Sequence, residues 1–261
     1  MMAAHAWLRW SAPWLLAALT LTHGALPAGA AQPEPPLPTR AASAPVRVPD
    51  SATLRYRVTG QTLGLTYNAD AQLQWRRQAE RYQAVWSVGL PLVGTRTQRS
   101  EGKITAAGLE PEHFAERARD ERSAQFDAQN QRIHFSANKP DAVLEPGAQD
   151  RLSVTLQFSA LLAAAPERYP PGMRITLQTV GVRGAEPWTW EVLTDETLLL
   201  AGREIPCVRL LRQPRKARDT RVELWLARTL DYLPVRLRLT QSDGDVADQQ
   251  LETLDKASAG Q

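Results

Sequence analysis

Cysteine is nearly missing from this chain: among 261 residues, Cys207 stands alone. An internal disulfide is therefore excluded, and the fold must rest on its core. A lipoprotein leader, which ends at a cysteine, is excluded as well. Cys207 lies in the apolar run Ile205–Leu211, the setting of a buried, inert thiol rather than a nucleophile. Histidine is scarce too. Beyond residue 30 only His113 and His134 occur, neither spaced with a Cys, Asp or Glu partner as a metal centre requires, so neither a metal nor a cofactor is expected. A Gly-x-Ser-x-Gly elbow, a His-Glu-x-x-His pair and a phosphate-cradling glycine loop are all lacking, and with them the commonest hydrolase and nucleotide chemistries. Charge is nearly balanced: 31 Lys and Arg against 28 Asp and Glu leave +3, too weak a field to imply nucleic acid. Lysine numbers only four, so arginine carries almost all the positive charge and supplies planar, bidentate donors for carboxylates and phosphates. No apolar run approaches the roughly 20 residues that span a bilayer.

What is present begins with a leader. Met1–Trp10 bears Arg9, Trp14–Leu21 is apolar, and Pro27-Ala28-Gly29-Ala30 ends in an Ala-x-Ala. A charged start, a short greasy middle and a small-residue exit are the three parts of a secretory signal. Residues 1–30 are thus expected to be cleaved near Ala30 and the chain exported to a periplasm, the other reading being a retained anchor. Residues 31–50 hold Pro33, Pro35, Pro36, Pro38, Pro45 and Pro49 and favour an extended linker, because proline fixes φ and withholds a donor. One domain follows over residues 51–254, with 255–261 as a frayed tail.

The body reads with a period of two. Leu54, Tyr56 and Val58 alternate with Thr53, Arg55, Arg57 and Thr59; after Gly60, Leu63, Leu65, Tyr67, Ala69, Ala71, Leu73 and Trp75 occupy successive odd positions. A helix would scatter these residues around its circumference, so the alternation predicts strands with one wet and one dry face. The run is long for a strand, and long strands twist and curl a sheet around its contents. Tyr82, Ala84, Trp86, Val88 and Leu90 continue the pattern as a hairpin partner. Further strands are predicted at Thr95–Ile104, Glu112–Arg119, Ala124–Asp127, Arg132–Ser136, Arg174–Val180, Trp188–Leu193, Thr197–Leu200, Ile205–Arg212, Arg221–Ala227, Val235–Thr240 and Ala247–Leu251. Asp150–Ala165 breaks the pattern. Leu152, Val154, Leu156 and Phe158 alternate like a strand, yet the Asp150 cap and the Ala/Leu tail favour one amphipathic helix. The fold class is therefore mainly β: a curved antiparallel sheet or half-open barrel with about one covering helix.

Two groups of residues could bind something. Tyr56, Tyr67, Trp75, Tyr82 and Trp86 share the dry face, as Trp188 and Trp190 share theirs; they either pack the core or line a greasy cavity in a sheet too wide to fill. Arg209, Arg212, Arg215, Lys216, Arg218 and Arg221 are relieved only by Asp219. The middle of that run, Arg215, Lys216 and Arg218, falls on a hairpin loop that could grip phosphates or carboxylates, or simply keep an edge soluble. The carboxylates Glu110, Glu112, Glu116, Asp120 and Glu121 read as a solvated face rather than the convergent pair of a glycosidase.

Gly147–Val154, Arg168-Tyr169-Pro170-Pro171-Gly172, Glu223-Leu224-Trp225-Leu226 and Tyr232-Leu233-Pro234-Val235-Arg236 together resemble an exported bacterial family known as domain of unknown function 3108, over roughly Ser51–Leu254. That resemblance supplies no reaction and no catalytic residues. The last two phrases are more loosely similar to those of periplasmic lipoprotein carriers and sensors with a half-open barrel. The expectation is a non-catalytic envelope protein, binding or carrying a lipid-like or anionic ligand on a concave apolar face. The alternative is a solid-cored scaffold that binds a protein or the cell wall.

Overall fold

The computed structural model of the chain describes residues 46–62, 64–90 and 94–256. The expected leader with its cleavage point, most of the proline-rich segment and residues 257–261 lie outside them. The alternating segments form strands β1 (Ala52–Thr62), β2 (Leu65–Gln78), β3 (Arg81–Leu90), β4 (Gly94–Thr105), β5 (Gly108–Arg117), β6 (Glu121–Asp127), β7 (Arg132–Phe135) and β8 (Lys139–Val143). A two-residue strand β9 (Gln149–Asp150) precedes the helix α1 (Ser153–Ala164). The second half holds β10 (Arg174–Gly181), β11 (Gly184–Val192), β12 (Glu196–Leu200), β13 (Arg203–Arg212), β14 (Arg221–Ala227), β15 (Pro234–Thr240) and β16 (Val246–Lys256). They make one sheet in the order β8-β7-β6-β5-β4-β3-β2-β1-β16-β15-β14-β13-β11-β10-β9, with β12 also on β13. All pairs are antiparallel except β9 on β10. The sheet is curved and is not closed into a barrel by a backbone ladder. Where its two margins approach, the Gln178 amide stands in for one, accepting from Glu145 N at 3.0 Å and donating to Val143 O at 2.8 Å.

The sequence reading places the dry face correctly. Ala52, Leu54, Tyr56 and Val58 are at most 5% exposed, as is Trp75 at 0%. Leu65 departs from it, at 62% exposed. The β1–β2 hairpin tip runs past the end of β16, whose pairing with β1 stops at Gln61 and Val246, so nothing covers Leu65.

The helix forms three residues later than its expected first residue: Leu152 takes the N-cap position without a side-chain bond, and the Asp150 carboxylate instead holds the turn leading into it, accepting from Leu152 N and Ser153 N, each at 2.8 Å. Rather than one apolar stripe, α1 buries Val154, Leu156, Phe158, Ala160 and Leu162 together with Ser153, Gln157 and Ser159. A helix buried all round belongs inside a core. Here it lies in the trough of the sheet, with Phe158 edge-on to Trp190 at 5.3 Å between ring centres. Its polar residues are matched one by one. Gln157 accepts from Leu109 N (2.7 Å) and donates to Ala107 O (3.1 Å), and Ser159 donates to Tyr232 O at 2.7 Å.

The Tyr232–Arg236 phrase explains itself here. Asp231 and Tyr232 adopt φ of 53° and 55°, a left-handed pair that tightens the β14–β15 turn, where Asp is tolerated and Tyr is costly. The turn then offers carbonyls to two anchors, Ser159 on α1 and Tyr56, whose hydroxyl donates to Pro234 O at 2.8 Å. Trp225 points the other way, onto the convex face, where the guanidiniums of Arg236 (4.5 Å) and Arg209 (5.2 Å) sandwich it.

Candidate functional site

Cross-strand register divides the concave face into rows. One deep row runs Ala52, Trp75, Ala84, Ser100, Phe114, Ala124 and Phe135, all sealed. Residues 46–50, just before β1, close this end. Arg47 N donates to Ala160 O, Trp75 Nε1 to Pro49 O at 3.0 Å, and Arg77 Nη1 to Val48 O at 2.9 Å. Inside it sits a chain of polar groups, Tyr82 hydroxyl to Ser100 Oγ (3.0 Å) to the Asp150 carboxylate (2.5 Å). Desolvation raises the Asp150 carboxyl to about 6, since burial disfavours the charged form. Three of the aromatics expected to meet a ligand, Tyr56, Trp75 and Tyr82, are in this sealed end, their polar atoms bonded within the chain.

Towards the opposite end the rows lose cover. Along β1 exposure rises from 0% at Leu54 to 1% at Tyr56 and 5% at Val58, and Gly60 is half-buried. The last row, Arg212, Val222, Leu239, Ala247, Gly60 and Tyr67, is half-buried over β15, β16, β1 and β2. Tyr67 lies across Gly60 so closely that a Cβ there would meet its ring at 2.1 Å. Leu177, Trp188, Leu237 and Leu239 pack against the core yet stay partly open, and Trp86 does likewise, donating to Gln249 at 2.9 Å. Apolar side chains on the inward face that are left partly open are the kind of surface that ligands use.

This open end is also cationic. Register puts Arg96, Gln98, Glu116 and Arg122 on the inward face, in line with Val88 and Trp86. Gln98 donates to Glu116 at 3.1 Å, and Arg151, the first of the two residues between β9 and α1, stands 3.8 Å from the same carboxylate. Across the trough Arg212 lies 4.0 Å over the Trp188 ring and Arg151 lies 5.9 Å from it. Arg212 keeps Asp219 at 3.7 Å, and Arg215 keeps Glu186 at 3.0 Å. Burial, with Arg151 and Arg215 nearby, pulls the Arg212 guanidinium below its ordinary value; burial does the same to Arg96. The Nε atoms of Arg96 and Arg212 are both buried and without a hydrogen-bond partner among the described residues.

Of the expected site residues, the structure brings Tyr67, Trp86, Arg215, Lys216 and Arg218 to the open end, the last three on the β13–β14 loop beside Arg212. The sequence reading passed over Arg96, Arg122 and Arg151 as possible contacts. In β4 both faces are polar, so Thr95–Ser100 offers no alternation from which to assign Arg96 inward; only the register with β3 does so. Between the β1–β2 and β15–β16 hairpins lies a shallow polar depression lined by Gln61, Gly64, Asp243, Gly244 and Asp245; it has no apolar floor. No group of three or more His, Cys, Asp and Glu among the described residues is placed to hold a metal. No described helix is long and apolar enough to cross a membrane, which says nothing of strands.

A curved, helix-filled antiparallel sheet with one sealed and one open end defines the class. Within it, the chain belongs to the family described as protein of unknown function (DUF3108), which matches residues 55–251. Its structure is similar to a β-barrel-like protein of domain of unknown function DUF1849 from Brucella abortus, with TM-score 0.55 and 14% identity over 82% of this chain and all of that one; at that identity the likeness concerns the fold. The Pseudomonas aeruginosa MucA/MucB complex is similar at TM-score 0.35 and 15% identity over 81% of this chain. There the chain spans about half the length of its match (53%). None of the curated proteins matches the sequence.

Proposed function

We propose that the chain is a non-catalytic, exported envelope protein that binds an amphiphilic, lipid-like molecule at the open end of its trough. One observation carries the reading: Leu177, Trp188, Leu237 and Leu239 face inward around α1 and pack against the core yet stay only partly buried, beside arginines that also face inward. A buried apolar floor rimmed by a few polar groups is the general form of a small-molecule site. The sealed end takes no part, because its aromatics are packed and hydrogen-bonded. The leader at residues 1–30 supports export, and the lack of a convergent acid pair, nucleophile or metal cluster in the residues discussed supports binding without chemistry. Extraction of the purified full-length body with organic solvent tests it. A reproducible acylated molecule in about stoichiometric amount is the expected result. An empty protein that also fails to take up added amphiphiles excludes the carrier reading and leaves a solid-cored scaffold.

A further inference from the structure

Resting on that reading, we infer that the polar part of the ligand is an anion of phosphate or carboxylate type, seated on an inward arc formed by Arg96, Arg151 and Arg212. The arc draws on both halves of the curved sheet and on the helix entry between them. Arg96 comes from β4, Arg151 from the β9–α1 junction, and Arg212 from the end of β13. Glu116 ties the first two together, lying 3.8 Å from Arg151 and acting electrostatically on Arg96. Trp188 ties the second to the third, with both guanidiniums at its ring.

Two features point to a missing acceptor rather than to a finished structural network. The arc holds more cations than acids: Arg96, Arg151, Arg212 and the adjoining Arg215 face Glu116, Asp219 and Glu186, with Glu116 shared by Arg96, Arg151 and Gln98. Like charges held together in a partly dry place are costly unless an anion joins them. In addition, the Nε donors of Arg96 and Arg212 are buried and unpaired, although Arg212 is only 7% exposed and its Nη1 donates to Thr220 O. A buried donor left unmade carries a desolvation penalty, and the guanidinium is relieved of it when it turns towards an incoming oxyanion. Planar guanidiniums suit the two oxygens of a carboxylate or phosphate. The Trp188 face and Leu177, its cross-strand partner, then supply the apolar surface where a tail would begin.

The experiment is calorimetric titration of the full-length mature protein at low salt with three probes: dihexanoyl phosphatidic acid, dihexanoyl phosphatidylcholine and sn-glycerol 3-phosphate. The acidic lipid is expected to bind at least about 10-fold more tightly than the choline lipid. In Arg96→Gln and Arg151→Gln that ratio falls to near unity while choline-lipid affinity is unchanged, and Arg151→Lys recovers part of it. Arg212 is packed, so its variant is Arg212→Lys, read only once its melting curve matches the parent. Equal affinity of the wild type for the two lipids overturns the anion seat and leaves the amphiphile reading standing. Binding of neither lipid overturns both. Glycerol phosphate binding as tightly as phosphatidic acid supports the seat but assigns it to a free phosphate, removing the tail.

Discussion

The two ends of the trough are built from the same strands and differ in how they treat polar groups. At the sealed end most buried polar atoms have an intramolecular partner: Trp75 on Pro49, Tyr56 on Pro234, Ser159 on Tyr232, Gln157 on Leu109, with Gln149 Oε1 an exception. At the open end, buried guanidinium nitrogens lack partners and large apolar side chains are left partly open. A core selected for stability alone would extend the first arrangement along the whole sheet, since paired burial stabilises and orphaned burial costs. The contrast teaches that the two halves of this concave face differ in how fully they are packed and covered, and it is the less covered half to which the proposed ligand is assigned.

The largest test of the comparison is Trp75→Ala, which should lower stability by about 3–5 kcal/mol by chemical denaturation and leave affinity for an acidic short-chain lipid unchanged. A small loss would mean that the sealed end is not the core. Next comes the one carboxylate buried there. Above pH 6 Asp150 is ionised in both folded and unfolded chains, and burial of its charge opposes folding. As pH falls through about 6 towards the ordinary 3.8, the folded state takes up the proton first. Its contribution to stability therefore rises, by at most roughly 3 kcal/mol between pH 7 and 4. The stability difference between the parent and Asp150→Asn should shift by that amount in favour of the parent on acidification; a difference flat with pH contradicts the burial argument.

Much of this was legible in the residues. Alternation from Leu54 to Trp86 defined the curved sheet and its dry face, and Asp150 with the Ala/Leu tail defined α1. The location of the helix was not legible, because Val154–Leu162 reads equally well as a helix covering one face and as one buried on all sides; only the partners of Gln157 and Ser159 decide it. For the same reason the aromatics could not be divided. Trp75 and Trp86 share the dry face and the same chemistry, and their rows lie in different surroundings only after β3 pairs with β4. Arg96 was hidden in a strand polar on both faces and Arg151 in a junction with no periodicity, whereas Arg122 continues the inward alternation of Ala124 and Phe126 and could have been read from it. Arg215, Lys216 and Arg218 stood out as a charge run, whereas the arc beside them is assembled from three separate segments.

Two smaller predictions sharpen the contrast. Trp188→Ala should cost no more than about 1–2 kcal/mol, as its ring is half-buried, while weakening lipid binding about 10-fold or more; destabilisation equal to that of Trp75→Ala would make the open end core as well. Gln178→Ala removes the two side-chain bonds that hold β8 to β10. Because those groups reach water, global stability should change by under about 0.5 kcal/mol, yet amide exchange in β7 and β8 should quicken. A large global loss would show that the margin is part of the cooperative core.

The division of the trough is tested most directly by photo-crosslinking an acidic lipid with a photoreactive acyl chain to the full-length protein and mapping the labelled residues by mass spectrometry. Labels should fall on Leu177, Trp188, Leu237 and Leu239 and spare Leu54, Trp75 and Phe114. Labelling of that second set, or of the convex face around Trp225 alone, would contradict the account.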